Sequence, residues 1–225
     1  MTALHLRLND VSLEFDGALP LLHKIDLSIT SRSGAPGDFI VIEGPSGSGK
    51  SSLLRLLNRL VDPTDGEFLV DGTSARTLPV PPFRRRVQLL QQTPVILPET
   101  VRVNLRFGDR FVANPMRDDD SSLRTSLDDV GLTEADLDSD AEPLSVGQRQ
   151  RLALARVLRA GPQILLADEP TSALDEASSQ IVLDRIESLC VDEGVAIVLV
   201  THQRFTPRRV AVQHLRLADG CLEQV

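Results

Sequence analysis

Tryptophan and tyrosine are absent from this chain of 225 residues, and phenylalanine occurs only seven times. Any stacking on a flat aromatic ring therefore falls to a phenylalanine. Cysteine is almost as scarce: Cys190 and Cys221 are the only two, and their spacing suits neither a disulfide framework nor a metal cluster. They read as free thiols of a reducing cytoplasm, with no role. Long apolar runs are missing too. Those at residues 164–167 and 195–200 fall far short of the roughly 20 residues a bilayer-spanning helix needs. Nor is there an excess of positive charge: 24 Lys and Arg against 32 Asp and Glu give a formal net charge of -8 and a pI near 5.0. Nucleic acid and anionic membrane surfaces would be repelled on average, so neither is an expected partner. No secretory signal is expected at the start, where polar and apolar residues already alternate. Neither an internal repeat nor a low-complexity segment is evident.

What remains is a folding composition, 41% hydrophobic and 25% charged in 24.6 kDa. It suits one large domain, or one domain carrying an inserted lobe.

The stretch around which the chain is organised is Gly44-Pro45-Ser46-Gly47-Ser48-Gly49-Lys50-Ser51. It follows an apolar run at residues 39–42 and precedes a helical pattern in which Leu53, Leu56, Leu57 and Leu60 share one face. A G-x-x-x-x-G-K-[ST] pattern between a strand and a helix is a phosphate cradle. Its glycines let successive N–H groups point inward, and the positive end of the following helix dipole faces the same anion. Lys50 is expected to reach the outer phosphates, with the Ser51 hydroxyl on Mg²⁺.

Before this loop, Leu4, Leu6 and Leu8 and then Ile25, Leu27 and Ile29 alternate with polar residues, which predicts two half-buried strands forming an antiparallel edge. Phe15 lies between them, as core filling or as a ring that stacks on a base. After the leucine-rich helix, Pro63 and Asp65-Gly66 break the chain, residues 68–70 extend, and Asp71-Gly72 turns. Pro79, Pro81 and Pro82 are expected to prevent regular structure, and Arg84, Arg85 and Arg86 to form a solvated face. Residues 87–90 read as a buried strand ending in Gln91 and Gln92. Between 93 and 143 acids cluster and short helical patterns appear near 101–107 and 123–130, which suggests a helical insertion on the core. Its acids are expected to be solvated or to start helices.

Leu144-Ser145-Val146-Gly147-Gln148 opens a further helix, with Ser145 where an N-cap belongs. Residues 163–169 form an apolar strand whose carboxyl end carries Asp168 and Glu169, and open α/β sheets bind ligands at that end. Because side chains alternate along an extended chain, one acid can serve a metal's water shell while its neighbour sits elsewhere in the site. Ser172 to Asp175 should turn into a helix running towards Cys190. His202 stands just past the buried strand at 195–200, on the same side as the site. The chain closes with a terminal hairpin.

This ordered set resembles the ATP-binding subunit of ATP-binding-cassette (ABC) transporters, and the resemblance covers nearly the whole chain. It implies an α/β fold: a P-loop NTPase core of ABC type with an antiparallel β edge and an inserted helical subdomain. Residues 1–92 and 144–225 would form the core within a single domain spanning 1–225, and 93–143 the helical subdomain. The resemblance further implies that Phe15 stacks on adenine and that the loop from Gly44 to Ser52 holds the phosphates. Ser51, Gln92 and Asp168 would serve Mg²⁺, Gln92 also linking it to the transport lobe. Glu169 would be the base for the attacking water, His202 a γ-phosphate contact, and Asp175 part of an interface loop. Ser145, Gly147 and Gln148 would close on ATP held by a second copy, which implies a head-to-tail homodimer. A separate transmembrane permease would hold the chain at the inner face of the membrane. The short chain looks most like small bacterial subunits of the iron or metal efflux type. Alternatives are an ABC-type ATPase serving a non-transport or lipoprotein-release process, and a P-loop small-molecule kinase. One departure stands out: the family's signature loop usually has two adjacent glycines, and Val146 replaces the first. If that position needs positive φ, a β-branched residue would weaken closure.

Overall fold

The computed structural model describes residues 3–14, 21–108, 119–202 and 205–225. The opening alternation becomes β1 (His5–Leu13) and β2 (Leu22–Thr30), paired antiparallel with Leu6, Leu8, Ile25, Leu27 and Ile29 buried. Next come β3 (Phe39–Glu43) and α1 (Lys50–Leu57). Leu60, expected on the apolar face of that helix, lies beyond its end and is 43% exposed, because Arg59 turns left-handed at φ 57°.

Asp65 and Gly66, expected as a break, instead begin β4 (Asp65–Val70), which pairs with β1 across a register shift. Gly66 fits there because a Cβ at its position would lie 2.4 Å from the Asp10 carbonyl oxygen. β5 (Thr73–Ser74) then completes an antiparallel sheet of order β2-β1-β4-β5.

A second expectation also fails: the proline-rich stretch forms α2 (Val80–Arg86). Its prolines fall just before the helix and in its first turn, where no backbone N–H is required and the fixed φ already suits a helix. Nor is the arginine triplet simply a solvated face. Arg84 donates to the carbonyls of Asn58 and Arg59, at 3.2 and 2.6 Å, and so ties α2 to the end of α1. Arg86 donates to Gln163 and reaches Asp71.

β6 (Val87–Leu90) leads to α3 (Val101–Arg106), α4 (Asp120–Asp128) and α5 (Val146–Arg159). Both shorter helices pack on α5. Thr100 and Asp119 cap α3 and α4 through their side chains. β7 (Ile164–Asp168), α6 (Glu176–Glu193), β8 (Ala196–Val200), β9 (Val212–Ala218) and β10 (Cys221–Gln224) complete the chain. Gly194 ends α6 in the left-handed region at φ 72°, where a Cβ would meet the Arg32 carbonyl oxygen at 1.7 Å.

The larger sheet has the order β10-β9-β3-β8-β7-β6, parallel except for the β9–β10 hairpin. Both its faces are covered, which explains the unbroken apolar runs in its strands. Ile40, Ile42, Leu166 and Val198 pack towards α1 and the antiparallel sheet, whereas Val41, Leu165, Ile197 and Leu199 pack with α3 to α6. No helix among the described residues is long and apolar enough to cross a membrane.

Candidate functional site

Parallel strands bring their carboxyl ends to one edge, and here the ends are level. Ile42 of β3 lies opposite Val200 of β8, and Val200 opposite Asp168 of β7. The glycine-rich loop, Glu169, His202 and the residues after β6 therefore emerge together. A cavity of about 390 Å³ opens there, lined by Ser46, Gly47, Gly49, Lys50, Ser51, Ser52, Gln92, Glu169, His202 and Leu21. Nine of these ten are residues singled out in the sequence. Leu21 is the addition, an apolar wall with no polar pattern to signal it.

The loop is held by close approach. A Cβ at Gly44 would lie 2.1 Å from the Leu217 carbonyl oxygen, so only glycine lets the loop sit against the terminal hairpin. Gly49 is left-handed at φ 99° and caps α1 with no side-chain hydrogen bond, so no side chain at the cap competes for the N–H groups of the first turn. Lys50 is buried, and its Nζ donates to the carbonyls of Gly44 and Pro45 at 2.8 Å each. Its pKa is lowered, first by desolvation, while the nearby carboxylates of Glu169 and Asp168 pull the other way. The Ser48 hydroxyl is buried with no hydrogen-bond partner among the described residues.

Glu169 is the most heavily constrained side chain of the site. Gln92 Nε2 donates to its Oε2 at 2.8 Å, and His202 Nε2 lies 2.8 Å from its Oε1. Its backbone is left-handed at φ 47°, with its N–H bonded to the Val200 carbonyl at 2.9 Å. Its own carbonyl accepts from the Ser172 N–H at 3.2 Å and the Ser172 hydroxyl at 3.1 Å. The sequence places Ser172 at the start of a turn but does not show that it holds the Glu169 backbone.

Asp168, Ser145, Gly147, Gln148 and Asp175 do not line this cavity. Ser145 and Gln148 form a reciprocal capping box: Ser145 Oγ accepts the Gln148 N–H at 3.2 Å and Gln148 Oε1 accepts the Ser145 N–H at 2.9 Å. Val146 is the first residue of α5 and is not among the positive-φ residues, so the structure removes the backbone objection to valine there. Asp175 caps α6, accepting from the Ser178 N–H and hydroxyl at 2.8 and 2.9 Å, and these bonds hold its carboxyl below the usual range. Phe15 falls outside the described residues.

A family model described as ABC transporter matches residues 27–172, more than half the chain. The chain belongs to the ABC transporter family. Within it the chain is an ATP-binding subunit of the ATP-hydrolysing kind. It is 36% identical over 220 residues to ABC transporter I family member 17 of Arabidopsis thaliana, covering 98% of this chain and 81% of that protein. It is 39% identical over 193 residues to a methionine import ATP-binding protein of Xanthomonas oryzae, covering 84% of this ABC chain but only 56% of that protein. It thus spans about half the length of that relative, and 53% of Protein STAR1 from Oryza sativa. Among solved structures it matches a dimeric post-hydrolysis ATP-binding cassette bound to ADP and Pi, with TM-score 0.81, 27% identity and coverage of 97% and 98% of the two chains.

Proposed function

We propose that this chain powers a membrane transporter by binding and hydrolysing ATP between two copies of itself closed head to tail. The observation that carries the reading is the placement of Glu169. Its carboxylate, gripped by Gln92 and His202, lines the same cavity as Lys50 and Ser51 of the glycine-rich loop. Phosphoryl transfer needs negative charge neutralised on the γ-phosphate and a water held in line, more than it needs covalent chemistry. Lys50 and the loop N–H groups supply the first, and the open end of the α1 dipole adds to it. Glu169 takes the proton of the attacking water, and His202 orients the carboxylate and meets the γ-phosphate.

Ser51, Gln92 and Asp168 offer a hydroxyl, an amide and a carboxylate oxygen, the hard donors that suit Mg²⁺. Three such oxygens would leave further positions on the ion to phosphate oxygens and water. When bound, Mg²⁺ would offset charge on the outer phosphates. Phe15 stacks on adenine in this reading.

Ser145, Gly147 and Gln148 do not line the cavity of their own chain, which supports a second copy as the acceptor of their helix end. Asp175 belongs to the same closing surface. ATP then acts as interface glue, and hydrolysis reopens the pair. The segment 93–143 passes that motion to a separate permease, which keeps the chain at the inner membrane face. Metal export is the finer reading taken from the sequence resemblance. One relative is named for methionine import, which favours neither export nor metal, so the proposal is made at the level of ATP-powered transport, with cargo and direction set by the permease.

The test is Glu169→Gln. ATP binding should persist, hydrolysis should fall by about 10²- to 10⁴-fold, and an ATP-bound dimer should accumulate. Unchanged turnover would remove Glu169 from the role of base.

A further inference from the structure

We propose that Val146 is an apolar fastener of the closed pair, a residue that sets how long two copies stay together around ATP. The inference rests on the head-to-tail reading above and goes beyond it, since anion binding by the helix end has no use for an isopropyl group.

Val146 is 57% exposed, one of five large hydrophobic residues on the described surface. It is the first residue of α5. In an α-helix each Cα–Cβ bond tilts towards the amino end, so this side chain leans the way the helix end points. The capping box uses up the Ser145 and Gln148 N–H groups. What the end of α5 presents to a second molecule is therefore the N–H groups of Val146 and Gly147, the Ser145 hydroxyl proton and one branched apolar group. The first three suit a phosphate. The fourth suits a dry, close-packed surface around it.

The occupant is a second copy of this chain, since a cassette that it matches over nearly its full length is itself a dimer. In the head-to-tail pair proposed above the end of α5 meets ATP held by the second copy's glycine-rich loop, so Val146 would face the outer side of that loop, where Pro45, Ser46 and Gly47 are exposed. There is room there: a Cβ built at Gly47 would find nothing within 4 Å. An isopropyl covering that bare backbone excludes water, and charged contacts strengthen where water is excluded. A glycine at 146 would leave that gap wet.

The test uses the full chain in the Glu169→Gln background with ATP, its monomer–dimer equilibrium measured by sedimentation. Val146→Gly should raise the dimer Kd by about 3- to 10-fold. Val146→Thr, of nearly the same shape but polar and still β-branched, should raise it in the same direction. ATP affinity, measured where the chain is monomeric, should stay within about twofold for both, as a residue outside its own chain's cavity requires. A Val146→Gly dimer as tight as its parent overturns the proposal. So does a glycine effect that threonine does not share, which would assign the change to backbone freedom instead of apolar contact. If the Glu169→Gln chain with Val146 intact forms no ATP-dependent dimer, the head-to-tail reading falls, and this inference with it.

Discussion

Glu169 holds its carboxylate in place on a left-handed backbone, φ 47°, that costs a non-glycine residue on the order of 1–3 kcal/mol and persists only where its surroundings over-determine it. The surroundings are specific: the Val200 carbonyl on one side, the N–H and hydroxyl of Ser172 on the other. Ser172→Ala keeps the backbone bond and deletes the hydroxyl bond, so the proposed base should be aimed less tightly while the glycine-rich loop is untouched. The expected loss is about 1 kcal/mol, or roughly fivefold in kcat, with KM for ATP unchanged and activity restored by Ser172→Thr. Steady-state kinetics on the three proteins decide it, and an unaltered kcat for Ser172→Ala would leave the turn as mere connection. At this scale the sequence is most readable where chemistry follows a local pattern. The loop from Gly44 to Ser51 and the acids at 168 and 169 are contiguous, so their types and spacing suffice. The grip of Gln92 and His202 on Glu169 joins residues 77 and 33 positions away from it along the chain, and no local pattern shows it. The same holds for Arg84, whose partners are carbonyls of a helix end read independently.

The elements divide in the same way. Strands with both faces buried, and helices with a capping side chain such as Ser145 or Asp175, were legible because the signal lies within a few residues. Two departures share a cause. Pro79, Pro81 and Pro82, and Asp65-Gly66, look like breakers by residue type, whereas position within the element decides: proline is accommodated in a first helical turn, and glycine in a strand that bulges. Electrostatics adds a feature that periodicity cannot carry. Arg102 of α3 donates to Asp138 and pairs with Asp120 of α4, so one guanidinium ties these helices to the loop that follows them. Both carboxyls are held below their ordinary value, first by hydrogen bonds from Arg102. A depressed folded value means stability that is present above the unfolded value, about 3.9, and lost as pH falls towards the folded one. Hydrogen exchange, corrected for its intrinsic pH dependence, should therefore rise in 99–106 and 120–128 below about pH 4 before it rises in β3, β7 and β8. Simultaneous loss of protection across all these elements would show that the Arg102 ties do not govern the segment.

At the scale of the whole molecule, the two halves of the proposed reaction centre sit on one chain yet do not meet. The Glu169 cavity is complete in loop, lysine and acid, while the capped end of α5 lies outside it. Each copy carries a formal net charge of -8, so two copies repel at long range and do not pair for want of anything better. A short-range bond must draw them together, and a polyanion held by Lys50 on one side and offered to free N–H groups on the other can form it. This division is partly legible in the sequence, because Ser145 reads as a helix cap apart from the glycine-rich loop, but only the fold shows that the cavity is lined without it. The consequence is kinetic. ATP turnover per chain should climb with protein concentration through the range in which dimers form, reach a plateau once pairing is complete, and require no added acceptor. Phosphate release measured across dilutions, with sedimentation on the same samples, would show turnover per chain tracking the dimer fraction. Turnover per chain that stayed constant while the chain was monomeric would mean that one copy holds the whole catalytic apparatus. Turnover that began only with a small-molecule acceptor would make the chain a kinase, since the glycine-rich loop serves both chemistries and only the shared helix end separates them.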